Sequence, residues 1–298
     1  MHTQRSLAQK FVWTAAKGIA DEVTICALTN SAQAEVVEFL SQRPLHNVIL
    51  IGLILDNGLV SPLNRGTFYG CRNRAGELEG VALIGHATLM ETRTDRALAE
   101  FANLATQCVS THMIMGESCR VREFWSYYAE GGQPLRKALG EHLMELRFPF
   151  AVLEDVSGLR LATAEDIDLV IPVHAQMAFE ESGVNPLETD PLGFRARCLR
   201  RIEMGRTWVW IESGELIFKA DIVSNTPAVV YLEGVWLNPG YRSKGLGSRC
   251  LSQLAKDLLA QNTGASVSVL VNEENSAAIR FYERVGFKHR GIFDTVFF

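Results

Sequence analysis

Short apolar runs and segments of 3.6-residue apolar period alternate along the chain in two successive series. In the first series, residues 23–28 read as a strand and 31–41 as a helix with Ser31 at its N-cap. Residues 67–72 and 79–85 read as strands joined around 73–76, a hairpin signal. Residues 96–108 are helical in period and 112–116 form a short apolar strand. The segments 120–130 and 133–146 both read as helices.

The second series opens with a strand at 159–162 and a helix over 164–181. Thr163 stands three residues ahead of Asp166, the spacing of a capping box, and Pro172 suggests a kink or break. A helix over 191–204 follows, then a hairpin of 207–212 and 215–224, then a longer strand at 228–237. The chain ends with a helix at 247–261, a strand at 266–271, a helix at 275–285 and a strand at 294–298. Both series sketch a related element order, which suggests internal duplication. The expected fold class is α/β (α+β mixed sheet): two domains, each a twisted mixed sheet flanked by helices. The domains fall at 23–150 and 158–298, with a proline-bearing, glycine-ended boundary between them. Residues 1–22 form an N-terminal extension that could be an amphipathic helix.

At 298 residues the chain has room for two cores of ordinary size. A net charge of −5 argues against a nucleic-acid partner. The apolar runs stop short of the ~18 residues that cross a membrane. The N-terminus carries charges inside and on both flanks, unlike a signal peptide. Six scattered cysteines with no C-x-x-C pair read as reduced residues, and no metal is expected. These features together point to a cytoplasmic protein, a monomer or homodimer.

The candidate chemistry lies in the second series. The strand ending at Leu237 runs into Asn238–Pro239, then Arg242, Gly245 and Gly247 in an R-x-x-G-x-G spacing, then an amphipathic helix. A glycine turn leading into a helix aims backbone N–H groups at an anion, and Arg242 and Lys244 add charge suited to a pyrophosphate. A nucleoside-triphosphate loop would need G-x-x-x-x-G-K-[ST], and a dinucleotide fingerprint a third glycine early in its domain. Neither is present. A plain strand-to-helix turn remains open on this loop alone.

Downstream, residues 272–287 read NEENSAAIRFYERVGF. With the glycine loop, this run resembles the GNAT acetyltransferase superfamily, which pairs R/Q-x-x-G-x-G/A with N-x-x-A-x-x-F/L-Y-x-x-x-G-F. Asn275, Ala278, Phe281, Tyr282, Gly286 and Phe287 meet every element of the second pattern. The resemblance implies that residues 240–248, including Arg242, Ser243, Lys244, Gly245, Leu246, Gly247 and Ser248, cradle the pyrophosphate of acetyl-CoA. It also implies that the preceding strand splays from its neighbour. Backbone amides at Val235 and Leu237 then hold the acyl carbonyl and pantetheine, Asn275 bonds the pantetheine arm, and Tyr282 protonates the leaving thiolate.

Thioester aminolysis also needs a base or a water chain to take a proton from the amine. Glu233 is the leading candidate, since strand alternation puts it on one face with Val235 and Leu237. Glu180 and Glu181, at the end of the first helix, are candidates for acceptor binding, and His174 reads as a packed helix residue. The expected function is an N-acyltransferase that moves an acetyl group to a small-molecule or peptide amine by direct attack in a ternary complex. The rival is a non-catalytic acyl-CoA sensor. The first series lacks both patterns, so the chain resembles a tandem GNAT protein with a degenerate N-terminal half.

Overall fold

A computed structural model describes residues 23–261 and 265–298. The helix expected within 1–22 lies outside the described residues. The chain divides into two compact units: Met1–Leu143 with Asn272–Glu274 and Gly291–Phe298, and Met144–Val271 with Asn275–Arg290.

Unit 1 contains β1 (Thr24–Ala27), α1 (Gln33–Leu40), α2 (Val48–Asn57), β2 (Gly66–Arg72), β3 (Leu78–Gly85) and β4 (Ala87–Thr92). It continues with α3 (Asp95–Ala105), β5 (Met113–Glu117) and α4 (Ser118–Tyr128). Strands β1 to β4 pair antiparallel in order, and β4 pairs β5 in parallel. The Asn73 side chain accepts from the N–H groups of Ala75 and Glu77 and so closes the hairpin. The first helix starts differently from the expectation. Ser31 sits inside a 3₁₀ turn, Asn30–Ala32, and does not cap α1. The core lies under α3 and α4, where Leu98, Phe101, Phe124 and Tyr128 are buried.

The expected helix at 133–146 is instead a strand, β6 (Lys137–Leu146). Leu139, Leu143 and Leu146 imitate a helical period. On the strand, however, Glu141 and Glu145 are buried too, and each is paired. Thr295 donates to Glu141, while Arg147 and Arg290 each contact Glu145 at 2.8 Å. A strand that buries carboxylates hides its alternation from a hydrophobicity pattern.

Unit 2 contains β7 (Leu159–Leu161), α5 (Ile167–Ser182), α6 (Pro191–Glu203), β8 (Thr207–Glu212) and β9 (Glu215–Asn225). Then come β10 (Val229–Leu237), α7 (Leu246–Gln261), β11 (Ser266–Asn272) and α8 (Ser276–Val285), and the chain closes with β12 (Lys288–Phe297), of which only 288–290 belong to unit 2. The two halves therefore share one order of elements, as the sequence suggested. Thr163 and Asp166 form the capping box ahead of α5, and α5 runs through Pro172 without a break. Helix α7 buries Cys250, Leu251, Leu254, Leu258 and Leu259, the i, i+4 stripe that seats it on the sheet. Strands β7 to β10 pair antiparallel, and β10 pairs β11 in parallel.

Candidate active site

Strand β10 leaves its parallel neighbour partway along. It pairs β11 from Val229 to Leu232, opposite Ser266 to Val269, and the pairing then stops although both strands continue. On its other edge β10 stays with β9, but through a bulge: Glu233 faces Asp221, and the next aligned pair is Trp236 with Lys219. Gly234 sits in the bulge at φ +59°, a left-handed conformation that glycine adopts without strain. Farther on, the Asn238 N–H donates to Ile217 O on β9 at 2.8 Å. Successive amides alternate in direction, so the Leu237 N–H points to the open edge that β11 has left.

The bulge corrects one expectation. Glu233 does not share a face with Leu237: Glu233 lies opposite Asp221 and Leu237 opposite Phe218, three residues apart on β9 and hence on opposite faces. A bulge inserts one residue and inverts the alternation that a regular strand would keep.

Beyond β10, the Asn238 side chain accepts from the Gly240 N–H and starts the turn that carries the chain to α7. Ser243 and Gly245 both take positive φ in that turn. Gly247 is packed closely: a Cβ there would stand 3.3 Å from Phe281 and 3.4 Å from Leu237. The first N–H groups of α7 have no acceptor within the helix and face the turn. Arg242 Nε donates to Leu237 O and Lys244 Nζ to Gly240 O, each at 3.1 Å, which ties the loop to the strand end.

These elements enclose a cleft of about 860 Å³. Of the ten residues expected to hold coenzyme, Val235, Leu237, Arg242, Ser243, Gly245, Gly247, Ser248 and Asn275 line it, whereas Lys244 and Leu246 lie in the same turn away from the lining. Asn275 is also the N-cap of α8, its side chain accepting from the Ala278 N–H at 3.0 Å. Glu180 lines the cleft and accepts from Gln176, and Glu181 is exposed outside the lining. Trp236, Phe281 and Arg284 also line it. Sequence reading overlooked Arg284 because α8 had to be placed before one of its faces could be chosen. It overlooked Trp236 because only the bulge turns that ring toward the opening.

Tyr282 is buried in the core beside Phe281 and Phe287, at ring separations of 5.1 and 5.3 Å. Burial raises its phenol above the ordinary value, so the proton stays on at neutral pH. Glu233 is exposed and lies outside the lining of the cleft. Burial raises its carboxyl above the usual range, with Arg201 opposing. Beside it, burial also opposes ionisation of Asp221, but the charges of Lys219 and Arg201 outweigh this and hold it well below the usual range. His174 packs edge-on against Phe194 and sits 3.4 Å from Asp221. Burial and the Lys219 charge push it down to about 3, so it is neutral. No group of three or more metal-ligating side chains occurs among the described residues, and no described helix is long and apolar enough to cross a membrane.

The strand divergence, the glycine turn and the α7 N-terminus coincide with a sequence match. Residues 173–287 match the model of the Acetyltransferase (GNAT) family. Over this segment the chain is similar to GNAT domains. Solved structures extend the likeness of fold to both halves. A GNAT-family acetyltransferase from Colwellia psychrerythraea matches at 14% identity and TM-score 0.57, over 93% of this chain and 100% of that one. A GCN5-related N-acetyltransferase from Sphaerobacter thermophilus matches at 11% identity and TM-score 0.55, over 94% and 96%. A tandem GNAT protein from the clavulanic acid biosynthesis pathway matches at 15% identity and TM-score 0.56, over 92% and 98%. At these identities the likeness is one of fold. No curated protein sequence matches the chain.

The GNAT-like order of unit 1 ends its fourth strand differently. Only Arg93 and Thr94 separate β4 from α3, Thr94 caps the helix by accepting from the Ala97 N–H, and Asp95 occupies its first position. The helix start in unit 1 is thus occupied by a side-chain cap and an acidic residue.

Proposed function

We propose that the chain is an N-acetyltransferase that uses acetyl-CoA and passes its acetyl group to the amine of a small molecule or peptide. The observation that carries this reading is the cleft itself. One opening holds the free edge of β10, the turn with Gly245 and the N-terminus of α7. A diphosphate fits backbone N–H groups of 245–248, with Arg242 and Lys244 supplying positive charge and Ser243 and Leu246 shaping the turn. Asn275 offers its amide nitrogen to the pantetheine arm while its oxygen caps α8. Amides at Val235 and Leu237 supply the fixed donors that a tetrahedral oxyanion requires.

In the reaction the amine nitrogen attacks the thioester carbonyl, the C–S bond breaks and the thiolate leaves. Tyr282, its proton held by burial, donates to that thiolate. Glu233 takes the amine proton through water, since it lies on the face of β10 opposite Leu237. Glu180 at the cleft, with Glu181 beyond it, attracts the cationic form of the acceptor. Holding amine and thioester together removes the need for a covalent enzyme intermediate.

The decisive measurement is calorimetry with acetyl-CoA on the wild type and on Gly247→Glu. That variant puts a carboxylate where the diphosphate sits and presses on Phe281 and Leu237. Binding by the wild type and its loss in a folded Gly247→Glu support the reading, and a wild type that gives no heat sinks it. Thioester cleavage that depends on a member of an amine panel then separates an enzyme from a sensor.

A further inference from the structure

The most enclosed charges in unit 2 take no part in that chemistry. Lys219 is fully buried and Asp221 is 1% exposed. Lys219 Nζ donates to Asp221 Oδ2 and, at 3.2 Å, to the carbonyl of Gly234. Thr207 Oγ1 donates to Asp221 Oδ1 at 2.8 Å, and Arg201 approaches Asp221 at 3.6 Å. Apolar side chains would fill such a place without desolvating two ions, so a buried ion pair is a poor device for stability alone. What it grips is specific. Gly234 carries the left-handed φ of the β10 bulge, and a Cβ on it would fall 2.7 Å from Lys219 Nζ and 2.8 Å from Asp221 Oδ2. The ammonium therefore fits directly against the backbone of the bulge, and a Cβ there would press on it.

A bulge leaves ladder groups unpaired, and an unpaired buried carbonyl favours a return to regular pairing. Return would shift the register by one residue and turn Leu237 away from the wall it shares with Gly247. We propose that Lys219, held in place by Asp221, is a positioning residue that clamps the Gly234 carbonyl and so fixes the bulge that turns 235–237 toward the cleft. The consequence for acetyl-CoA rests on the coenzyme reading above, whereas the clamp does not.

The test removes both charges together, as Lys219→Met/Asp221→Asn, which leaves no lone buried ion and keeps an acceptor for Thr207. Wild type and variant are compared by thermal unfolding, by amide hydrogen exchange resolved by NMR, and by acetyl-CoA titration. The expected result is near-native unfolding, with exchange at least tenfold faster at Trp236 and Asn238, whose N–H groups point to β9, but unchanged at 229–232, and acetyl-CoA affinity about tenfold weaker. Unchanged exchange at Trp236 and Asn238 overturns the clamp. Faster exchange there with unchanged affinity overturns its link to the cleft. A wild type that binds no acetyl-CoA counts against the coenzyme reading, and the exchange data then judge the clamp alone. Should the double variant fail to fold, Gly234→Ala separates the contact with both charges retained. The same local exchange is expected from it, and native exchange there overturns the proposal.

Discussion

At the scale of single residues, the proposed chemistry depends on groups whose protonation their surroundings have moved. The Glu233 carboxyl is raised above the usual range by burial, an effect that solvent at its exposed side chain screens. As a base it must be ionised, so kcat/KM for a competent amine is expected to fall as pH drops through that raised value. Glu233→Gln should remove this acid limb and lower kcat by 10²- to 10⁴-fold, read from pH–rate profiles. Tyr282→Phe keeps a ring packed between Phe281 and Phe287 and removes only the hydroxyl. An intact fold with kcat down about 10²-fold is the outcome expected of a proton donor, and an unchanged kcat removes Tyr282 from the mechanism.

At the scale of elements, Asn275 caps a helix and lines the cleft at once. Its oxygen caps α8, and loss of an N-cap typically costs about 1 kcal/mol. Asn275→Ala is expected to lower stability by about that amount in denaturant unfolding, and Asn275→Ser, which keeps a capping oxygen, by much less. If the amide nitrogen also meets pantetheine, both variants weaken acetyl-CoA binding alike, and a loss of affinity confined to Asn275→Ala assigns the residue to capping alone. Much of the element plan is legible in sequence, because turns carry their own chemistry: Asn73 and Gly76 close a hairpin, and Thr163 with Asp166 opens α5. The failures are equally local. Strand β6 reads as a helix because its buried face includes two paired glutamates, and helix α2, VILIGLILDN, goes unassigned because β-branched residues dominate its core run. The glycine turn and Asn275 stand out by spacing, since a turn at positive φ and a helix N-cap constrain residue type directly. Trp236 and the true face of Glu233 do not, because a bulge is a one-residue event with no composition of its own apart from Gly234.

At the scale of the whole chain, two halves with one element order have different strand-to-helix turns. In unit 2 the chain passes from Leu237 to Leu246 through an extended turn with two residues at positive φ, which brings the first residues of the helix to the cleft. In unit 1 the passage from Thr92 to Asp95 is short, capped by Thr94 and headed by a carboxylate. The region beside it is also closed: Arg43 binds Glu91 at 3.2 Å and Glu117 at 2.5 Å, and the cavity they line holds only about 30 Å³. A coenzyme diphosphate would there meet an acidic first turn in place of donors, with carboxylates already engaged by the nearest arginine. The expected stoichiometry is therefore one acetyl-CoA per chain, and Gly247→Glu in unit 2 should abolish all of the binding heat. A titration that saturates at two per chain, or a residual site in a folded Gly247→Glu variant, would place coenzyme chemistry in unit 1 and overturn the division of roles between the halves.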